Sequence, residues 1–560
     1  MQKIDSITLT VVNKSLENIA EEMGVALMRT GYSPNIKERL DFSTAIFNGE
    51  GELVAQAEHI PVHLGAMSLS VQEGLKRCTT ADLTSGDILI HNDPFMGGTH
   101  LPDITLIAPV FVEDQNEPIF YIANRAHHAD VGGSVPGSMP GASTEIFQEG
   151  VIIPPIKLYS QGDEVKDVMN LILANVRTAW ERKGDLRAQR AAINVGITRI
   201  QELVNKIGAE ELKFYEKQLM DISEQATRAE LQCLKEGTFK FQDYMDSDGF
   251  GSDPVKIQAT IILAKDEVTI DFEGTAPQSK GNINATRGVT ISCVYYVFRA
   301  ITDPKIPTNQ GCFRPLQIHV PEGCLLNPKW PAACSSGNVE TSQRIVDVLM
   351  GALAQASEKI PAASQGTMNN ITIGGRTVSD HFSYYETIGG GMGARPKINY
   401  GEIGTRAKKD GIDGIDGIHC HMTNTKNTPI EALELAYPMR IEYYGLVPDS
   451  GGRGEYRGGL GIRRDIKMLE SATVSIQSER RKLAPWGLKG GKPGKVGENW
   501  LIISSGKKEK LPGKITIEVE AGDIIRIITP GGGGWEDPEK RNRLKAEKDR
   551  KEGKISRELV

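Results

Sequence analysis

Asp93, His100, Asp103, His127 and His128 are the residues of this chain best placed to do chemistry together. They lie at the two ends of the stretch 91–133, HNDPFMGGTHLPDITLIAPVFVEDQNEPIFYIANRAHHADVGG, which holds four of the ten histidines. Mixed imidazole and carboxylate donors suit zinc, manganese or ferrous iron better than calcium. Three protein ligands leave a coordination position open for water or substrate, as catalytic metal sites require. Taken singly, each His or Asp here is more often structural than functional. The joint pattern of a Gly-Gly approach, His-x-x-Asp and then His-His-x-Asp is what points to a metal.

These groups must be positioned by the stretch between them. Asp103 to Val112 is apolar and β-branched, Glu113 to Pro118 has turn composition, and Ile119 to Ala126 is apolar again, which predicts a β-hairpin. With the turn centred between Gln115 and Asn116, paired positions sum to about 231, which sets Asp103 opposite His128. A one-residue shift of the turn selects His127 instead. His100 precedes Asp103 by three residues in a Gly-Gly-Thr-His-Leu-Pro-Asp turn, so three ligands converge at one end of a β-ribbon. Asp41 opens the first strand of another hairpin, whose turn is marked by Asn48-Gly49 and Gly51. It reads either as a fourth carboxylate for the cluster or as a partner of Arg39. His59 and His63 flank Pro61, which predicts a turn leading into a helix from about Gly65, with both imidazoles lining a pocket or serving only to pack.

The remaining chain bounds the function. At 560 residues it exceeds the size at which one core stops growing, so two or more domains are expected. The expected division is 1–245, metal-bearing with a helical segment; 246–385, β-rich with Gly/Asn loops and helices; and 386–560, β-rich with a Gly-rich loop and a terminal helix. The fold class expected is multidomain α+β: a β-ribbon and sheet core with long helices first, then a mainly β half with a few helices. A net charge of −7 argues against nucleic acid. No apolar run long enough to span a membrane occurs, and the first residues lack a secretory signal pattern. Seven cysteines with no CxxC pair fit a reducing cytoplasm.

Other segments carry weaker signals. Ser6–Thr30 and much of Val165–Leu234 have helical spacing. Within the latter, Arg177, Asp185 and Gln189 read as a solvated helix face sooner than as pocket residues. Gly337-Asn338-Val339-Glu340-Thr341 leads into a helix, whose start could bind an anion or simply be capped by Asn338 or Thr341. The run 386–396, ETIGGGMGARP, looks like a phosphate cradle but lacks the Lys-Ser/Thr of a P-loop. His419 and His421 are a poor second candidate for a metal.

Six ordered blocks together resemble the hydantoinase B/5-oxoprolinase family over nearly the whole chain. They are LDFSTAIFNGEGELVAQAEHIPVHLGAM, GDILIHNDPFMGGTHLPDITLIAPVF, RAHHADVGGSVPGSMPG, NQGCFRPLQIHVPEGCLLNP, GNVETSQRIVD and TPGGGGWEDP. The family includes N-methylhydantoinase, caprolactamase and acetone carboxylase subunits. The resemblance implies a hetero-oligomer in which a hydantoinase A-like partner uses ATP to phosphorylate a cyclic amide (hydantoin, lactam or 5-oxoproline) and this chain completes hydrolysis at its metal. It implies metal ligands at His100, Asp103 and one of His127 and His128. Asp41 or Asp93 would act as base, with His59 and His63 beside them. Arg314, Asn338, Glu340, Gly390, Gly391 and the glycines at 531–534 would hold substrate and phosphate. An acetone-carboxylase-like ligase subunit and a non-catalytic docking subunit are the alternatives.

Overall fold

The structure, a computed structural model, describes residues 5–57, 59–112, 117–251, 253–377, 381–396, 398–399, 408–409 and 411–556. Helices and β-sheets segregate into an α+β arrangement, as the alternating periodicities predict.

The first sheet is antiparallel throughout and has the order β2-β1-β5-β4-β3-β6-β7. Its strands are β1 (Phe42–Asn48), β2 (Leu53–Ala57), β3 (Ile88–His91), β4 (Asp103–Val110), β5 (Phe120–His127), β6 (Ile156–Ser160) and β7 (Asp163–Glu164). Every residue of β1, β3, β4 and β5 is buried, because both faces are covered. On one face α1 (Ser6–Thr30) packs with α5 (Ala179–Ile207), burying Leu16, Met23 and Ile193 against Ile46, Ile104 and Leu106. The other face meets α3 (His63–Arg77), backed by α7 (Arg287–Ile301), and buries Phe47, Ile107 and Tyr121 with Met67 and Val71. Short α2 (Pro34–Lys37) links α1 to β1, while α4 (Lys166–Ala174) and α6 (Ala209–Leu231) flank α5.

A second sheet, ordered β11 (Leu316–His319), β10 (Glu267–Asp271), β9 (Val255–Ala264), β8 (Gly237–Met245), packs on α8 (Ser342–Leu353) and shares the core beneath α3. Two further sheets form a sandwich around Ile373, Tyr384, Val474, Ile466 and Ile525. One is β13 (His381–Glu386), β12 (Asn370–Arg376), β18 (Ala472–Gln477), β21 (Lys514–Val519). The other is β16 (Met439–Leu446), β17 (Ile462–Met468), β22 (Ile524–Ile528), β19 (Glu498–Ile502), β20 (Lys508–Leu511). A two-residue ribbon, β14 (Ile398–Asn399) with β15 (Lys408–Lys409), and helices α9 (Ile430–Ala436) and α10 (Arg543–Lys551) complete the chain.

The glycine-rich runs do not form separate loops. Segments 389–394, 411–418, 450–461, 485–494 and 529–535 lie side by side and exchange backbone hydrogen bonds. Gly391 N–H donates to the Pro530 carbonyl at 3.0 Å, Gly459 to Met392 at 2.8 Å, Gly532 to Gly459 at 2.9 Å and Gly534 to Lys492 at 2.9 Å. A β-carbon at Gly391, Gly459 or Gly532 would collide with the neighbouring backbone, so this spacing admits only glycine. Gly532→Ala is expected to cost more than about 2 kcal/mol, because the obstructing atoms are backbone and cannot rotate away. Urea denaturation measures it, and an unchanged midpoint would refute the packing role.

Candidate functional site

The β4–β5 register decides which imidazole joins the cluster. Asp103 pairs with His127, not with His128, so paired positions sum to one less than the turn composition suggested. Side chains alternate faces along a strand, so this single step exchanges the two histidines between sides of the sheet. His127 shares the α3 face with Asp103. His128 turns to the α5 side, where its Nε2 lies 2.9 Å from Gln189 Oε1. Burial, with the nearby Arg182 charge, pushes the His128 imidazole down to about 4, so it is a neutral core residue.

His100, Asp103 and His127 form a compact triangle. His100 Nε2 to His127 Nδ1, His100 Nε2 to Asp103 Oδ1 and His127 Nδ1 to Asp103 Oδ1 are each 3.1 Å. All three residues are buried. Hydrogen bonds satisfy at most two of these edges, because a ring N–H points at only one neighbour. A single cation satisfies all three. Cis ligands about 2.2 Å from an octahedral ion stand about 3.1 Å apart, and tetrahedral ligands at about 2.1 Å stand about 3.4 Å apart. The donor set and its spacing therefore fit a divalent zinc, manganese or iron ion.

The second Asp103 oxygen is held from the other side. Thr99 Oγ1 donates to Oδ2 at 2.5 Å, Asn338 Nδ2 stands at 3.5 Å and His63 Nε2 at 3.4 Å. His63 Nδ1 in turn meets Ser43 Oγ at 2.9 Å. Burial alone would raise the Asp103 carboxyl. The charges of His100 and His63, with hydrogen bonds from His100 and His127, outweigh it and hold the group well below the usual carboxylate range. Burial likewise lowers His127 against the pull of Asp103 and Asp41. Tyr385 stacks on the His127 ring at 3.9 Å between centroids. Arg39 lies over the Tyr385 ring at 4.9 Å, donates to the Tyr385 carbonyl and to Thr387 Oγ1, and stands 3.8 Å from Asp41.

Beside the triangle is a cavity of about 20 Å³, lined by Asp41, His63, Asp103, His127, Asn338 and Tyr385 among others. That is room for one water-sized particle. A larger cavity of about 260 Å³ adjoins it, with Ile60 and His63 lining both.

Several residues singled out in the sequence stand elsewhere. Asp93 caps a short turn, accepting from Phe95 N–H at 2.9 Å, and burial raises its carboxyl; it does not line the small cavity. His59 lies outside α3, tilts against Phe42 and lines the larger cavity. Arg314 is drawn to Asp221 and Glu224 at 3.1 and 3.4 Å, outside both cavities. Gly390 pairs with Ile418, and Gly391 sits in the glycine bundle with 531–534, so their N–H groups are spent on backbone. Gly337–Thr341 is a buried π-helical turn running on into α8, not a free helix start. Asn338 therefore reaches Asp103 by its side chain, while Glu340 accepts from Met368 N–H. Burial, with the Glu479 charge, pushes the Glu340 carboxyl up to about 8, so it is a neutral buried acid. Asp185 and Gln189 are buried supports rather than a solvated face; Arg177 pairs with Asp130 at 3.0 Å. His419 bonds Asn427, and His421 stands 3.3 Å from Tyr296. The residues missed from sequence are Thr99, Ser43 and Tyr385, which no local motif marks.

Comparison with known proteins follows the same lines. The sequence matches the family described as hydantoinase B/oxoprolinase over residues 5–538. An uncharacterized protein of Methanocaldococcus jannaschii is 45% identical, covering 99% of this chain and 94% of that one. 5-oxoprolinase 1 of Arabidopsis thaliana is 41% identical over 95% of this chain, which spans only 42% of the plant protein. The crystal structure of ATP-dependent caprolactamase from Pseudomonas jessenii superposes with a TM-score of 0.89 at 28% identity, covering 99% of this chain and 95% of that one.

Two outcomes are expected. His127→Ala should abolish copurifying divalent metal while His128→Ala retains it and melts lower, measured by plasma mass spectrometry beside circular dichroism; metal lost in His128→Ala alone would refute the register argument. Glu340 is protonated when folded but ionised when unfolded between pH 4.5 and about 8, so it contributes a loss of stability as pH rises across that window. Glu340→Gln should flatten this slope in pH-resolved denaturation, and an unchanged slope would remove Glu340 as its source.

Proposed function

The chain belongs to the hydantoinase B/oxoprolinase family, and from that premise we propose that it performs the ring-opening step of an ATP-dependent cyclic-amide hydrolase. The observation that carries the reading is the triangle of His100, Asp103 and His127, two of whose members, Asp103 and His127, line a water-sized cavity.

The chemistry explains why ATP is needed. An unstrained cyclic amide is a poor electrophile. Phosphorylating its carbonyl oxygen makes the ring carbon open to water. Water then bonds to that carbon, the ring C–N bond breaks with a proton moving to nitrogen, and the acyl phosphate left behind hydrolyses to carboxylate and inorganic phosphate. We assign phosphorylation to a hydantoinase A-like partner, or to the remainder of the chain in the longer relatives.

A divalent ion, when bound by the triangle, supplies Lewis acidity and lowers the pKa of water towards ~7. Asp41, lining the small cavity, takes the proton of the attacking water. His63 stands at the boundary of the two cavities and, steadied by Ser43, hands a proton to the departing ring nitrogen. Asn338 and Thr99 hold the Asp103 carboxylate so that Oδ1 stays aimed at the cluster. Tyr385, whose phenol burial keeps protonated, fixes the plane of His127. The larger cavity accepts the ring.

Asp41→Asn should retain bound metal yet lower turnover of 5-oxoproline, a hydantoin or a lactam, assayed with partner and ATP, by about 100-fold or more. Full activity in Asp41→Asn would remove Asp41 as the base. Full activity in His100→Ala would sink the catalytic reading altogether, and turnover of acetone with bicarbonate would replace it with the ligase.

A further inference from the structure

The larger cavity has a charge character that the ring-opening reading does not use. Its described lining contains one guanidinium, Arg299, two imidazoles, His59 and His63, and no carboxylate. The walls between them are apolar: Ala57, Ile60, Leu64 and Met67. A low-dielectric pocket of one sign concentrates ligands of the other.

Arg299 is the only permanent charge in that lining. It sits in the last turn of α7, with Tyr296, one turn before it, and the adjacent Ala300 on the same cavity wall. Its hydrogen bonds go to neutral oxygens. Nε donates to Thr308 Oγ1 at 3.2 Å, Nη1 to Thr302 Oγ1 at 2.8 Å and to the Asp303 carbonyl at 3.4 Å, and Nη2 to the Ile306 carbonyl at 3.0 Å. Among the described residues no ion pair cancels its charge. Arg314, by contrast, is surrounded by acids. These bonds also stiffen the guanidinium, so little order is lost when a ligand docks.

The open groove outside does not share this bias. It adjoins the cavity through Gln56, Pro304 and Thr308, and it carries Lys14 and Lys305 beside Glu17 and Glu21. Charge selection therefore belongs to the inner cavity.

We propose that this cavity selects a substrate bearing an anionic substituent, and that Arg299 is the specificity-determining residue that recognises it. The inference rests on the cyclic-amide reading above. It narrows that reading to rings carrying a carboxylate, held with the charged end at Arg299 and the amide end towards His63 and the triangle.

Calorimetric titration of the full chain with 5-oxoproline, neutral 2-pyrrolidinone and acyclic glutarate tests it. The wild type should bind 5-oxoproline at least about tenfold more tightly than 2-pyrrolidinone, and Arg299→Gln should erase that preference. Arg299→Lys, which keeps the charge but loses the fork of bonds at the end of α7, should keep a preference, and thermal melting of each variant reports whether α7 is intact. Equal affinity of the wild type for the charged and neutral rings, or an unchanged preference in folded Arg299→Gln, overturns the role of Arg299 and leaves the cyclic-amide reading standing. Binding of glutarate but of neither ring, lost in Arg299→Gln, upholds the anion site and overturns the cyclic-amide reading. Binding of none of the three overturns both.

Discussion

A carboxylate at 1% exposure is the constraint around which the first half of the chain is arranged. Removing an ionised group from water costs several kcal/mol unless every lone pair is answered. Asp103 is answered on one oxygen by Thr99, Asn338 and His63 and on the other by two imidazoles. Those partners come from a turn, a π-helical bend, a helix start and a neighbouring strand. Each must arrive at hydrogen-bond range, so the packing of α3, α8 and the sheet is judged at this one point.

Support arrives from behind as well. Gln189 of α5 takes His128 out of competition and also donates to the Ile104 carbonyl and to Asn124, tying the β4–β5 pair to the helix layer. Arg39 does the same from the sandwich side, fastening the start of β1 to Tyr385 and Thr387. The glycine bundle plays a different part. By dispensing with side chains it lets several chain segments pass within backbone contact, and it anchors the sandwich that carries Tyr385.

Much of this was legible in the chain. Apolar, β-branched runs flanking a turn segment marked β4 and β5, the Asn-Gly turn marked β1 and β2, and helical spacing marked α1, α5 and α6, because those patterns reflect local geometry. The cluster of His100, Asp103 and His127 was visible as a joint pattern of residue types. What local pattern could not settle was register: turn composition at 113–118 locates a reversal to within a residue, and one residue exchanges His127 for His128. Tyr385 was out of reach for another reason, as was the contact of Asn338 with Asp103, since both depend on partners hundreds of positions away. Asp185 and Gln189 resemble solvated polar residues in sequence because nothing local announces that Arg182, Tyr32 and His128 will bury them. The glycines misled in the opposite sense. Their composition suits a ligand cradle, yet their N–H groups are consumed by neighbouring backbone.

The Arg39 clasp also sets a schedule. Its partners Tyr385 and Thr387 lie 346 and 348 positions further along the chain. At ribosomal rates of roughly 5–20 residues per second, the hairpin carrying His100, Asp103 and His127 emerges on the order of tens of seconds before the residues that close over it. Throughout that interval the partners that clasp Arg39 beside the imidazoles and the carboxylate have yet to be made. The triangle is thus made long before the finished cavity, with room for one water, is closed around it.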